Sequence, residues 1–143
     1  MKINFFLKGI HYRIRNKNHI RRWLEEIRIE ENSSVKEVSV ILTSDKNLLR
    51  LNKEFLNHDY FTDVITFTDI VEGIQKTEIY ISIDRVKANA KIYKNTTNIE
   101  LRRIIVHGFL HASGYNDASI KEKKHMTILE DKYLAWYIRL LEK

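Results

Sequence analysis

Gly73 lies between two runs of β-branched and aromatic residues, DVITFTDI at 63–70 and TEIYISI at 77–83. Side chains of that kind suit a pleated surface, and a glycine between two such runs predicts a β-hairpin. The chain has no proline and only four glycines (Gly9, Gly73, Gly108, Gly114), so few other places mark a turn. The remaining elements are therefore read from periodicity. KINFFL at 2–7 reads as a first strand. Ile20, Trp23, Leu24 and Ile27 fall at helical spacing and predict a helix over 17–31. In KEVSVILT, 36–43, Val38, Val40 and Leu42 alternate while Ile41 is also apolar, which suits a strand buried on at least one face. Ser44 and Asp45 read as a helix N-cap before Leu48, Leu49, Leu51 and Phe55. Asp84 is expected to cap a helix to about Tyr93, Asn98 to cap the next, and 119–141 to form a long last helix. The order β-α-β-α-β-β-α-α-α predicts an α+β fold: one domain over 1–143, with a mixed sheet of about four strands and surrounding helices.

Size and composition narrow the class. At 143 residues the chain suits one core, and 43% hydrophobic with 31% charged residues marks it as globular rather than disordered. The absence of cysteine excludes a disulfide framework and thiolate metal sites, and it fits a reducing compartment. No apolar run approaches the ~18 residues of a membrane span. The N-terminal run INFFL is shorter than a secretory core, so a cytoplasmic protein with no membrane partner is expected. The net charge of +6 is localised. Lys2, Lys8, Arg13, Arg15, Lys17, Arg21 and Arg22 lie in residues 1–24 with no acid among them, while the other 119 residues hold 18 cations and 19 acids. A local excess of that sign favours a polyanion such as nucleic acid.

VHGFLHASGYNDAS, Val106 to Ser119, carries the chemistry. Ile104, Ile105 and Phe109 place it on a helix, where residues four apart share a face, so His107 and His111 present two imidazoles to one point. Gly114 tolerates the left-handed backbone that ends a helix, and the chain can then return Asp117 toward the same point. Two nitrogens and one carboxylate oxygen would leave a fourth position open, as a catalytic zinc site requires. The residue after the first histidine is glycine, so the glutamate base of H-E-x-x-H proteases is missing, which weighs against peptide hydrolysis.

Beyond these residues the chain resembles a known family. HGFLHASGYND is similar to the H-G-x-L-H-x-x-G-Y-D-H signature of the YbeY family of bacterial endoribonucleases. LNKEFLNHDYFTDVITF (51–67) resembles that family's L-N-x-x-Y-R-x-x-D-x-P-T-D-V-L-S-F stretch, and EIYISIDRVKANAKIY (78–93) its G-D-I-x-I-S strand followed by an alanine- and lysine-rich helix. The resemblance covers about residues 36–135. It implies a mixed sheet with surrounding helices, one zinc per chain held by His107, His111 and Asp117, and RNA cleavage in maturation of ribosomal RNA, suggested at the 3′ end of the small-subunit rRNA. It also implies a role in ribosome quality control, with the ribosome or its proteins as partners and the chain acting as a monomer.

The chain departs from the family pattern in two places. Asp117 stands where the signature has histidine, and an anionic ligand makes the site less positive. Leu56 stands where the family has an arginine suggested to contact RNA, and a leucine cannot clamp a phosphate. The catalytic side chain is therefore unknown, with nearby His58 as a candidate helper and Asp63 expected to hydrogen-bond to the site. Arg102 and Arg103, about one turn before His107, are candidate substrate-binding residues. Tyr60, Phe61 and Phe67 could offer stacking faces to unpaired bases. The alternatives are a metalloprotease-like hydrolase and a non-catalytic, ribosome-associated zinc-binding protein.

Overall fold

The computed structural model describes residues 1–141; the last two residues of the expected domain, 142–143, lie outside the described residues. Nine elements follow in the anticipated order: β1 (Lys2–Leu7), α1 (Lys17–Glu30), β2 (Val35–Thr43), α2 (Asp45–Leu56), β3 (Val64–Val71), β4 (Ile74–Ser82), α3 (Ile83–Ile92), α4 (Thr97–Ala112) and α5 (Ile120–Leu141). The sheet runs β1-β2-β4-β3. β1 is parallel to β2 and β2 to β4, while β3 pairs antiparallel with β4 at one edge. The fold is thus α+β with a mixed four-stranded sheet.

The hairpin at Gly73 is tighter than the sequence suggests. Glu72 (φ 54°) and Gly73 (φ 78°) form a two-residue turn with both residues at positive φ, which matches the twist of the flanking strands. β4 consequently starts at Ile74, paired with Val71, rather than at residue 77. Two caps also differ from expectation. Ser44 does cap α2, accepting from the Asn47 N–H at 3.2 Å. α3, however, follows β4 without a loop, so Ser82 caps it, and Asp84 instead accepts from the first N–H of α2, at Asp45. Thr96 caps α4 two residues before Asn98, accepting from the Ile99 N–H at 3.1 Å. In each case the hydroxyl sits three residues before the amide it accepts from, the geometry an N-cap needs.

α4 is the helix that positions the site. It touches β3, β4, α3 and α5. Its residues Leu101, Ile104, Ile105, Val106, Phe109 and Leu110 are all buried, far more than one apolar stripe. The core continues through Ile20, Trp23, Leu24 and Ile27 of α1 and Met126, Tyr133 and Tyr137 of α5. Trp23 is fully buried and donates its indole N–H to the Tyr133 carbonyl at 2.6 Å, tying α1 to α5.

Candidate metal centre

Gly108 sets how close α4 lies to the sheet. A Cβ there would fall 2.8 Å from Ile79 Cγ2 and 3.1 Å from Thr66 Oγ1. Thr66 and Ile79 are cross-strand partners in β3 and β4, so the helix rests on that pair through a bare backbone. The position where zinc proteases carry a glutamate therefore faces the sheet and has no room for a side chain. His107, one residue earlier, and His111, one turn later, face outward over the edge of β3.

α4 closes in a Schellman arrangement. Gly114 has φ 110° and donates to the His111 carbonyl, and the Tyr115 N–H reaches the Leu110 carbonyl. Gln75 of β4 donates to the Ala112 carbonyl at 2.9 Å, fixing the helix end to the sheet. The Tyr115 hydroxyl donates to Glu31 at 2.5 Å, and Tyr133 donates to the same carboxylate. These bonds hold the α4–α5 loop, and the loop carries Asp117 back over the two histidines.

The three side chains meet as the sequence predicts. His107 Nε2 and His111 Nε2 lie 3.1 Å apart, and Asp117 Oδ2 is 3.3 and 3.2 Å from them. Three ligands at zinc distances of about 2.0–2.1 Å in a tetrahedral array stand about 3.3–3.4 Å apart, so the separations fit. The tautomers support the same conclusion. His107 Nδ1 is 2.8 Å from Glu130 Oε2, and His111 Nδ1 is 2.9 Å from the Tyr115 carbonyl oxygen. Both partners only accept, so both Nδ1 atoms must donate. In the neutral imidazoles the two Nε2 lone pairs and the Asp117 oxygen then converge with no hydrogen between them. Such a triad repels itself unless a proton or a metal cation sits at its centre, and the His-His-Asp group can hold a metal.

Glu130 is the functional residue the sequence reading missed. Its signal was an acid on the apolar stripe of the last helix, four residues from both Met126 and Leu134. It is buried, accepts from His107 through one oxygen, and meets Arg103 Nη1 at 3.2 Å through the other. Burial alone would push the His107 imidazole down. The hydrogen bond to Glu130, with the charges of Glu130, Asp117 and Asp63, outweighs it and pushes His107 above its usual value.

The other expected site residues fall in different places. Arg102 is a correction: it is fully buried, donating to the Tyr137 hydroxyl at 3.0 Å and the Arg15 carbonyl at 2.5 Å, so no phosphate can reach it. It faces the core because it lies five residues before His107, about 140° around the helix. Arg103 does line a cleft beside His107, with its guanidinium paired to Glu130 and to Asp131 at 2.8 Å. Asp63 is held by Asn89 at 3.3 Å and not by the histidines. Burial, opposed by the charge of His107, raises its carboxyl. His58 shares a second cleft with the triad, and its Nδ1 pairs with the Tyr60 hydroxyl at 3.0 Å. Tyr60 and Phe61 are exposed on the α2–β3 connection, and Phe67 packs edge-on between Phe55 and Tyr80.

Two clefts therefore open onto the triad, and both are lined by Asp63, Val64, His107 and Asp117. One, of about 660 Å³, is acidic, adding Glu100, Glu130 and Asp131. The other, of about 590 Å³, is bounded by Asn52, Leu56, His58 and Tyr60.

Comparison with known proteins points to one family. The family described as Endoribonuclease YbeY matches residues 7–137. The Endoribonuclease YbeY of Cytophaga hutchinsonii is 44% identical over 134 residues, covering 93% of this chain and 94% of that protein. Its namesake from Porphyromonas gingivalis (strain W83) is 35% identical, covering 94% and 89%. A solution structure of a Thermotoga maritima protein superimposes with a TM-score of 0.64 at 32% identity, covering 94% of this chain and 88% of that one.

Proposed function

The chain belongs to the YbeY endoribonuclease family, and from that premise we propose that it is a zinc-dependent hydrolase that cuts single-stranded RNA during ribosomal RNA maturation, with a part in ribosome quality control. The whole of 1–143 works in this reading as one catalytic domain, in the cytoplasm, as a monomer that meets the ribosome or its proteins. The observation that carries it is the convergence of His107 Nε2, His111 Nε2 and Asp117 Oδ2 with both Nδ1 protons already committed to acceptors.

His107, His111 and Asp117 would hold the zinc, which would supply Lewis-acid polarisation of a phosphoryl oxygen and a more acidic water. The chain's own residues do the rest. Glu130 and the Tyr115 carbonyl hold the two imidazoles in the ligating tautomer. Arg103 keeps the Glu130 carboxylate in place. Position 108 carries no base, so proton removal from the attacking oxygen falls to a group on the cleft wall. We assign that helper role to His58, which lines the cleft that holds the triad.

The test is elemental analysis of the purified, untagged protein beside Asp117→Ala, with cleavage of a single-stranded RNA by both. About one zinc per chain, lost with cleavage in the variant, is expected from a three-ligand site. Cleavage retained by a metal-free variant overturns the reading. His58→Ala is expected to lower kcat with metal content unchanged.

A further inference from the structure

The two clefts at the metal centre differ in the cations they offer a phosphodiester. The acidic one has five carboxylates, with Arg103 already paired to two of them and the exposed Lys123 on its wall. The other is lined by neither lysine nor arginine. The family arginine would enter at Leu56, which is apolar and 41% exposed at that cleft. Substrate held in that second cleft must therefore be gripped through something other than its backbone charge.

The α2–β3 connection supplies an alternative. Tyr60 is 56% exposed, and its ring stacks on His58 with centroids 5.1 Å apart and planes 19° from parallel. The pair is not a loose loop tip. Asn52, itself 2% exposed, donates its side-chain amide to the Tyr60 carbonyl at 2.9 Å. The His58 N–H returns to the Asn52 carbonyl at 3.1 Å, closing α2 around Asn57 at φ 57°. Phe61, next in the chain, lies 5.0 Å from the Arg85 guanidinium, which is itself held by Asp45. A buried amide is thus spent on fixing the backbone under an exposed aromatic ring. That ring shares one cleft of about 590 Å³ with His107, His111 and Asp117. An ordered aromatic face in a cleft without cations is what a flat, uncharged group recognises, and RNA offers such a group only where its bases are unpaired.

We infer that the stacked Tyr60–His58 pair is a platform for one unpaired base of single-stranded RNA, adjoining the phosphate that is cut. The inference rests on the nuclease reading above. Stacking tolerates every base, so it sets a requirement for single strand rather than for sequence. A duplex keeps its base faces stacked inside the helix and has nothing to present to the ring.

The test measures binding by fluorescence anisotropy of the full chain to a short single-stranded oligonucleotide made uncleavable by 2′-deoxy sugars. Wild type, Tyr60→Ala and Tyr60→Phe are compared, each against a set with one abasic position moved along the strand. Tyr60→Ala is expected to weaken binding about tenfold, within the usual range for one base–aromatic stack. Tyr60→Phe keeps the ring and is expected to stay within about twofold. One abasic position should weaken wild type by the same factor and add nothing in Tyr60→Ala, the non-additivity that marks a direct contact. Additive losses at every position overturn the platform, as does equal binding of duplex and single strand by wild type. Cleavage of an all-ribose strand is scored separately. Cleavage without the abasic coupling sinks the platform alone. Coupling without cleavage sinks the nuclease reading and leaves the platform standing. No binding to any strand sinks both.

Discussion

Glu130 shows how much one buried carboxylate decides. It orients His107, raises that imidazole's basicity and is itself held by Arg103. Removing the charge by Glu130→Gln should cost about 10–100-fold in zinc affinity, the usual scale for a partner behind a ligand. Competition with a chelator at neutral pH reads the change. Metal must displace the His107 proton, and that proton is held more tightly than at the ordinary value of 6.5. Affinity in the wild type should therefore begin to fall above that pH as acid is added. Glu100 presents the opposite case. It is 3% exposed, and one carboxylate oxygen has no partner. Burial, opposed by Arg103 and reinforced by Asp63 and Glu130, raises its carboxyl above 4.5. The folded state thus holds the Glu100 proton more tightly than the unfolded one. Its contribution to stability is full below 4.5 and is lost as pH rises through the folded value. Glu100→Gln removes that loss. It is expected to melt higher than wild type near pH ~7, with the gain vanishing toward pH ~4 in calorimetric scans.

At the scale of elements, the contact of α4 with the β3–β4 hairpin is the critical one. Gly108 rests on Thr66 and Ile79, and its two neighbours in function, His107 and His111, inherit their height above the sheet from it. Gly108→Ala adds one methyl where Ile79 Cγ2 already stands 2.8 Å away. The helix must lift or Ile79 must move, at a cost of about 1–3 kcal/mol, the usual scale of overpacking. Chemical denaturation should show that loss. Zinc affinity should fall in the same variant, because lifting α4 separates both imidazoles from Asp117, which is anchored through Tyr115 to Glu31. If metal affinity is unchanged while stability falls, α4 does not set the ligand geometry.

At the scale of the molecule, the basic end and the metal centre lie apart. β1 and β3 are opposite edges of the sheet, three strand spacings or about 14 Å across. Arg13, Lys17 and Arg21 line a groove of about 800 Å³ with Phe5 and Tyr12, and it shares no residue with either cleft at the triad. Charge should thus hold RNA at one edge while the metal acts near the other. The double variant Arg13→Glu with Lys17→Glu is expected to weaken binding of long single strands and leave metal content unchanged. The slope of log affinity against log salt should flatten by about 0.7 for each phosphate that the variant no longer neutralises. Strands too short to reach both edges should be insensitive, and equal weakening for short and long strands would place the basic groove in the cutting site itself.

The sequence alone determined what depends on local spacing. A 3.6-residue period put His107 and His111 on one face, Gly114 ended the helix, and Asp117 fell within reach of both. Runs of β-branched residues and the turn at Gly73 set the order of strands and helices for the same reason: each depends on neighbours a few residues away. Tertiary structure decided what depends on which face meets which element. Arg102 and Arg103 are adjacent and alike in sequence, yet one is buried against Tyr137 and the other lies in a cleft, because about 100° of helix rotation separates them. Glu130 lies 23 residues from His107 and reaches it only because α5 packs on α4. The order β1-β2-β4-β3, and with it the separation of the basic edge from the metal, came from how the chain crosses over the sheet, which no short window of residues records.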